Sequence, residues 1–136
     1  MDFLRLTLAG FDDFLVYFAA SVAMVALFLA IYVRVTPYRE FALIREGNAA
    51  AAASLSGALL GFVLPLASAV AHSVNLADMA IWGVIALVVQ VGGYGVARVL
   101  LPGIASGIPS GRISHGVFVG VLSLAIGILN AACMSY

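Results

Sequence analysis

Four long runs of apolar residues constrain the fold of this chain more than any other feature of its sequence. They cover residues 14–33, residues 49–71, about residues 79–97 and about residues 115–133, and the first contains no charged residue. Each is close to the roughly 20 residues that a helix needs to cross a lipid bilayer. Because backbone amides in lipid must be hydrogen-bonded within their own segment, we expect four transmembrane helices. The runs are too long for barrel strands and lack their polar alternation.

The composition supports lipid as the surrounding medium. Hydrophobic residues make up 65% of the 136 residues and charged residues only 9%, whereas a soluble globular chain has about 25% charged residues. A domain of this size leaves much of its surface exposed, and so few charges could not cover that surface in water. We therefore predict an all-α, polytopic membrane protein that forms one membrane domain over residues 1–136. The zero net charge and the lack of a basic stripe argue against a nucleic-acid partner.

The arginines indicate which side of the membrane each connection faces. Arg34, Arg39 and Arg45 lie between the first and second runs, and Arg98 and Arg112 lie between the third and fourth. The remaining arginine lies near the N-terminus, beside three aspartates. Because arginines collect in cytoplasmic connections, both arginine-bearing connections are expected in the cytoplasm. Both termini are then expected on the outer side of a bacterial inner membrane.

Aromatic residues are expected at the two membrane boundaries, where amphipathic rings are enriched. Near the outer boundary lie Tyr17, Trp82 and Tyr136, and near the inner boundary lie Tyr32, Tyr38 and Tyr94.

Polar residues predict where three of the helices begin. Asn48 is a candidate N-cap for the second helix, and Asp12 or Asp13 for the first. Asn75 and Asp78 are three residues apart, which is the spacing of a capping box at the start of the third helix. The two aspartates also argue against a cleaved signal, since they directly precede an apolar run of full membrane length.

The sequence overlays on itself when it is shifted by about 64 residues. Residues 46–48 then fall on residues 110–112, and a helix rich in small residues follows in both places. This predicts two copies of a two-helix hairpin, one over about residues 12–72 and the other over about residues 77–136. Since an even number of membrane crossings separates the copies, they share an orientation, as in parallel repeats.

The first copy carries the pattern RxTPYxExxLIREGNxAAAxSLxGALLGFxLPLASA, and the second carries SGRI at residues 110–113. This pattern resembles the YjfL family of bacterial inner-membrane proteins, and the resemblance covers nearly the whole chain. It implies a tandem pair of two-helix units in the inner membrane. The family is of unknown function, so the resemblance supports the architecture and implies no reaction.

The connection between the first two helices is dense in charge and is the main candidate for a functional surface. We expect it to be a docking loop for a cytoplasmic or membrane protein. Its candidate residues are Arg39, Glu40, Arg45, Glu46 and Asn48. Alternatively, its charges are solvated and only orient the protein, since exposed ion pairs contribute about 0–1 kcal/mol. The segment could also form a short helix on the inner leaflet, with Tyr38, Phe41 and Ile44 toward lipid.

Small residues recur every four positions on three of the four helices, and such stripes let helix backbones approach closely in a bilayer. On the second and fourth helices the candidate packing residues are Gly57, Gly61, Gly116 and Gly120. On the first helix the stripe consists of Ala19, Ala23, Ala26 and Ala30. Either packing within one molecule or contact between copies would use them. Their presence in both halves favours the second and fourth helices as the central pair.

Three further residues inside the apolar runs are candidates for a functional role. Gln90 and Asn130 could line a polar path, although a hydrogen bond to a neighbouring helix is the simpler interpretation for Gln90. Pro65 lies within the second helix and leaves the carbonyl of Gly61 without its helical donor, which predicts a kink.

No catalytic residue, cofactor or metal site is predicted. Cys133 is the single cysteine, and His72 and His115 are not at ligand spacing. The GGYG of residues 92–95 lies inside an apolar run and not in a pore loop. Residues 103–111 are expected to be a flexible connection, and they lack the lysine of a phosphate-binding loop.

These observations favour a non-enzymatic scaffold or interaction component of the bacterial envelope. We expect it to be embedded in the lipid bilayer, to form homo-oligomers and to present the docking loop to a protein partner. The alternative is a small channel or transporter, formed by the oligomer or at the interface between the repeats.

Overall fold

Residues 2–134 are described by a computed structural model and form six helices. The helices are α1 (Asp2–Val35), α2 (Glu40–Arg45), α3 (Ala49–His72), α4 (Leu76–Leu100), α5 (Ile104–Gly107) and α6 (Ile113–Cys133). Four of them, α1, α3, α4 and α6, are long and apolar enough to cross a membrane. No strand occurs within residues 2–134. The predicted all-α fold with four transmembrane helices is therefore confirmed.

Helix α1 begins earlier than the sequence predicted. It starts at Asp2 and continues through Asp12 and Asp13, which are exposed on its surface and do not cap it. Residues 2–11 contain no proline, so nothing interrupts the helix before the apolar run. With 34 residues, α1 is about 51 Å long, which exceeds the roughly 30 Å of the hydrocarbon core.

The other two predicted caps are confirmed. The Oδ1 atom of Asn48 accepts a hydrogen bond from the amide of Ala51 at 3.0 Å. The Oδ1 atom of Asn75 accepts one from the amide of Asp78 at 2.8 Å. The carboxylate of Asp78 in turn accepts from the amide of Val74 at 3.1 Å, which gives the reciprocal pair of a capping-box-like turn.

Helices α3 and α6 form the most extensive helix pair, and the predicted central position of this pair is confirmed. Glycines let their backbones touch, because a Cβ atom on Gly57 would overlap the backbone of Gly120. A Cβ atom on Gly116 would overlap Ala50, and one on Gly127 would overlap Gly61. Contacting positions increase together along both helices, so α3 and α6 run parallel.

Helices α4 and α1 pack on this central pair to different extents. Helix α4 contacts both α3 and α6. Helix α1 makes its closest aromatic contact with α3, where the rings of Phe28 and Phe62 stack with centroids 4.6 Å apart. Only 11% of the apolar window of α1 is buried, against 39% for α4. Most of the surface of α1 is therefore left to lipid or to another protein.

Helices α1 and α3 are joined at the arginine-rich end by a short helix and a glycine turn, and so are helices α4 and α6. We call residues 36–48 the first cap and residues 100–112 the second cap. Gly47 and Gly111 adopt positive φ angles of 88° and 83°, a conformation that favours glycine. The next amide bonds to a carbonyl five residues earlier, from Asn48 to Leu43 at 2.9 Å and from Arg112 to Gly107 at 2.9 Å. Both caps therefore end their short helix in a Schellman motif.

The second cap differs from the flexible connection that the sequence suggested, because α5 and the turn after it are hydrogen-bonded throughout. The amide of Ile108 donates to the carbonyl of Ile104 at 3.1 Å, and that of Gly111 to Ile108 at 3.0 Å. The side chains of Ile104 and Ile108 are fully buried, which fixes α5 against the bundle. Serine and glycine content alone did not reveal these apolar anchors.

The positions of the two turns agree with the predicted repeat. Gly47 and Gly111 are 64 residues apart (111 minus 47), and so are the first residues of α3 and α6, Ala49 and Ile113. Both helices follow their glycine by two residues. The organisation into two repeats stays a prediction, and these matching turns support it.

Candidate functional site

The five arginines outside the N-terminal segment lie at one end of the helix bundle. Arg34 and Arg98 belong to the last turns of α1 and α4. Arg39, Arg45 and Arg112 belong to the two caps, and all five side chains are exposed. This arginine-rich end of the bundle includes the docking loop that the sequence predicts.

Glu40 is an exception to that prediction, because its side chain faces the protein interior. It is only 1% exposed, although the sequence suggested a solvated charge. The reason is its place at the first turn of α2, which turns it toward the tyrosines of the neighbouring elements. Glu40 is therefore not available to contact a partner directly.

Three tyrosines surround the carboxyl group of Glu40. The ring of Tyr94 meets the rings of Tyr32 and Tyr38 edge-on, with centroids 5.8 Å and 6.4 Å away. All three are buried, so their rings face the protein interior, and their position near the inner membrane boundary stays a prediction. Their rings pack on one another and on Phe28, and Leu43 and Ile44 of α2 pack against the same core. We call Tyr32, Tyr38, Glu40 and Tyr94 the buried cluster.

The interior around Glu40 does not favour a negative charge. Burial raises the pKa of Glu40 to about 7, and the nearby hydroxyl of Thr36 opposes this shift in part. Neither carboxylate oxygen has a hydrogen-bond partner of good geometry. Burial likewise raises the pKa of Tyr38, so its hydroxyl stays neutral. A carboxyl group in such a place holds its proton far more readily than one in water.

Asn48 fastens the first cap to the second. Its Nδ2 atom donates to the carbonyl of Ile108 at 2.9 Å and to that of Pro109 at 3.3 Å. Its Oδ1 atom caps α3, so the whole side chain is engaged by the fold. Asn48 thus acts in holding the two caps together, and its amide is not free for the docking role that the sequence suggested.

The remaining exposed charges form one surface over the joined caps. A groove of about 370 Å³ runs between the two glycine turns, with Glu46 on one side and Ser110 on the other. Beside it stand Arg45 and Arg112, and Arg39 lies across α2. We call Arg39, Arg45, Glu46 and Arg112 the arginine surface. Three guanidinium groups and one carboxylate give it a net positive charge suited to anionic groups.

The four glycines singled out in the sequence all lie between α3 and α6 of the same chain. Gly57, Gly61, Gly116 and Gly120 are buried there. The structure therefore uses them for packing within one molecule. The alanine stripe of α1 differs, because Ala19, Ala23, Ala26 and Ala30 are all exposed.

The polar residues within the membrane are used mainly in packing. Gln90 is 1% exposed, and its Nε2 atom donates to the carbonyls of Ser123 at 2.9 Å and Ala58 at 3.3 Å. The simpler interpretation, a hydrogen bond between helices, is thus confirmed. Gln90 and Asn130 do not bond to each other, since Nε2 of Gln90 donates to those two carbonyls, and Oε1 of Gln90 and Nδ2 of Asn130 have no partner. Helix α3 continues through Pro65, which is buried, and its kink stays a prediction.

Sequence reasoning missed the buried cluster, although two signals pointed to it. Phe28, Tyr32 and Thr36 are spaced by four, which marks one buried face at the end of α1. The shift by 64 residues also places Glu40 on Ile104, a residue whose side chain is completely buried. An apolar equivalent indicates an interior position for the glutamate.

The described residues offer no arrangement typical of a metal centre. Within residues 2–134, no three His, Cys, Asp or Glu side chains come close enough together to hold a metal ion. The GGYG of residues 92–95 lies within the continuous helix α4, where its carbonyls are engaged in helical hydrogen bonding.

Comparison with known proteins gives consistent matches over most of the chain. Residues 5–134 match the model of a Domain of Unknown Function, DUF350. The UPF0719 inner membrane protein YjfL of Escherichia coli strain K12 is 43% identical over 123 residues, which is 90% of this chain and 93% of that protein. The UPF0719 transmembrane protein YshE of Bacillus subtilis strain 168 is 29% identical over 86 residues, which is 63% of this chain and 64% of that protein. No solved structure is significantly similar.

Proposed function

Since the chain belongs to the DUF350 family and is a multi-pass protein of the inner membrane, we propose that it is a non-enzymatic interaction component of that membrane. In this proposal the arginine surface binds an acidic segment of a cytoplasmic protein. The resemblance to YjfL, which includes the pattern of residues 34–69, supports the membrane location and does not identify a partner.

The observation that carries this proposal is the hydrogen-bonded link between the two caps that bear the arginine surface. A loop that serves only to orient a protein needs positive charge and no particular conformation. Here Asn48 ties the first cap to the second, and each cap ends in a glycine turn. A rigid surface loses less conformational entropy when it binds, which favours specific recognition.

The charge distribution supports a cytoplasmic position for this surface. Both caps lie at the end with five arginines, and the opposite end of the bundle carries Arg5 with Asp2, Asp12 and Asp13. By the positive-inside rule the caps face the cytoplasm and both termini face outward. Reporter fusions test this orientation: a phosphatase active only outside should be active at either terminus, and a fluorescent protein that folds inside should not.

Contact between copies is proposed for helix α1. Its alanine stripe is exposed, and small residues let membrane helices approach closely. Replacing Ala23 and Ala26 by leucine leaves the monomer core untouched but blocks such an approach. We expect the subunit count from native mass spectrometry to fall to one. An unchanged count would place the contact elsewhere.

Site-specific crosslinking tests the docking proposal. A photoreactive residue in place of Ser110, which is exposed in the groove between the caps, should capture the partner in intact membranes. In the triple variant R39E/R45E/R112E the guanidinium charges are reversed, so the crosslinked protein should be lost at least tenfold. The single variant Arg5→Glu is the matched control, because it reverses a charge at the other end of the bundle.

The captured partner is then purified and titrated into nanodiscs of zwitterionic lipid that contain the membrane protein. We expect Kd to rise by a factor of ten or more in the triple variant and to stay constant in Arg5→Glu. Crosslinks to lipid alone, or equal capture by the triple variant, would contradict the docking function.

A further inference from the structure

Glu40 is the only acidic side chain that is fully buried within residues 2–134. It is the first residue of α2, a helix of six residues whose Leu43 and Ile44 pack against the core that contains the tyrosines. The function proposed above uses only exposed charges, so it gives this carboxyl group no role. A buried carboxylate without a partner is unfavourable, and such a position calls for a physical explanation.

No cationic group compensates Glu40 from the elements packed around it. Helix α1 contributes Tyr32, the connection contributes Thr36 and Tyr38, and helix α4 contributes Tyr94. Helix α3 contributes Ser54, which does not titrate. On the first cap itself, Arg39 and Arg45 are exposed, and Arg98 acts on Tyr94. The ionised carboxylate therefore finds only neutral hydroxyl groups in the interior.

The second cap shows what the same position requires for stability alone. At position 104 the equivalent residue is isoleucine, which is also fully buried. Both caps have the same Schellman turn, so an apolar side chain is sufficient to hold the short helix. The carboxyl group of Glu40 is thus not needed to hold the short helix in place.

A second place for the carboxyl group exists just outside the buried cluster. A groove of about 320 Å³ lies along α2 and is lined by Glu40 itself, Arg39, Arg45, Phe41 and Val33. An ionised Glu40 that turned outward would meet water and two guanidinium groups there. Because Glu40 is the first residue of α2 and its side chain is fully buried, we expect its departure from the interior to displace α2.

We propose that α2 is a proton-controlled cap: the protonated Glu40 docks among Tyr32, Tyr38 and Tyr94, and the ionised Glu40 moves into the groove beside Arg39 and Arg45 and loosens α2. Because α2 contains Arg45 and is flanked by Arg39 and Glu46, the position of α2 also sets the shape of the arginine surface. Only this last step rests on the proposed function; the movement of α2 does not.

The direction of the pH dependence follows from the two environments. In the interior the pKa of Glu40 is raised to about 7 from its ordinary value of 4.5. The docked state therefore binds a proton more strongly than the undocked state, and docking weakens as the pH rises through this interval. Between pH 6 and pH 7.5 the ratio of docked to undocked α2 should fall roughly tenfold. Below pH 4.5 and well above pH 7 it should be constant.

Hydrogen–deuterium exchange of the full chain in nanodiscs tests the proposal without any partner. Protection factors of the amides of α2 are compared with those of α5 in the same molecule, after correction for the intrinsic pH dependence of exchange. In the wild type, the ratio of α2 to α5 protection should fall roughly tenfold from pH 6 to pH 7.5. In Glu40→Gln, which mimics the neutral carboxyl group, the ratio should stay constant and high.

Glu40→Ile provides a second variant, because it copies Ile104 of the second cap and does not depend on how glutamine packs. It should also abolish the pH dependence and protect α2 at pH 7.5. The proposal is overturned if the wild-type ratio does not change with pH, or if it changes to the same extent in both variants. Loss of the partner crosslink alone would overturn the docking function and leave this result intact.

Discussion

The first and second caps can be compared position by position, because a shift of 64 residues superimposes their turns. Where the first cap has Arg39, Glu40, Arg45 and Glu46, the second has Gly103, Ile104, Pro109 and Ser110. Both nevertheless contain a short helix, a glycine at positive φ and the same pair of hydrogen bonds. Since the second cap holds this conformation without charges at these four positions, the four charges of the first cap are not needed for its backbone, and another role is the better explanation for them.

The caps also differ in what lies beneath them. The first cap contributes Tyr38 and Glu40 to the buried cluster, which contains one carboxyl group and three phenol groups. The second cap covers the ring of His115, which packs against Gly107 and Gly103. The short helix of the first cap therefore buries a carboxyl group, that of Glu40, where the second cap buries the apolar side chains of Ile104 and Ile108.

The largest expected effect concerns the contact between α3 and α6, where the two halves of the chain meet. In Gly57→Val the new side chain overlaps the backbone of Gly120, so α3 and α6 must separate. We expect a loss of about 3 kcal/mol in the free energy of unfolding, measured by steric trapping in bicelles. Gly92→Val is the control, since a Cβ atom there meets nothing within 4 Å. Equal stability of the two variants would refute the glycine-mediated contact.

The next effect concerns the residue that joins the caps. Asn48→Ala removes the N-cap of α3 and the bonds to Ile108 and Pro109. We expect a loss of about 1–2 kcal/mol in the free energy of unfolding. Arg112→Ala at the equivalent position should have almost no effect, because the side chain of Arg112 makes no cap hydrogen bond. A similar loss in both variants would show that the caps are held in the same way.

A smaller effect tests whether the two turns are equivalent. Gly47→Ala and Gly111→Ala each place a Cβ atom on a residue with positive φ, which costs about 1–2 kcal/mol. A Cβ atom meets no neighbour within 4 Å at either position, so the backbone conformation alone decides the result. The two losses should agree within about 0.5 kcal/mol. A clear difference in thermal unfolding in detergent would mean that only one turn is under constraint.

The smallest expected effect compares the packing of α4 with that of α1. Gln90→Leu removes the two bonds to α3 and α6 and should lower the free energy of unfolding by about 0.6 kcal/mol. The position 64 residues earlier is Ala26 of α1, which is exposed, so Ala26→Leu should leave the stability of the monomer unchanged. Steric trapping distinguishes the two variants. A larger loss for Ala26→Leu would mean that α1 packs more tightly than its exposure indicates.

The features that could be predicted from the sequence are those set by local composition. The length of the apolar runs predicted the four membrane helices, and the position of Asn48 just before the alanine run predicted a cap, since each depends on residues close in the chain. The prediction that α1 begins at Asp12 or Asp13 is wrong, because α1 already begins at Asp2. Charges mark where lipid ends, and a helix can continue beyond that point into water.

The interior position of Glu40 could not be predicted in the same way. It depends on Tyr94, which lies on another helix and approaches only when α4 has packed. A charged residue in a short polar segment is normally exposed. The comparison with Ile104 was the one indication in the sequence, and it has meaning only if the repeat is accepted.

The parallel contact between α3 and α6 has a consequence for biosynthesis. Gly57 and Gly120 are 63 residues apart (120 minus 57), and a ribosome that adds 5–20 residues per second needs roughly 3–12 s to reach the later one. During that interval the glycine-lined groove of α3 has no intramolecular partner and faces lipid or the insertion machinery. The nascent chain is therefore open to premature pairing with a second nascent copy until α6 enters the membrane.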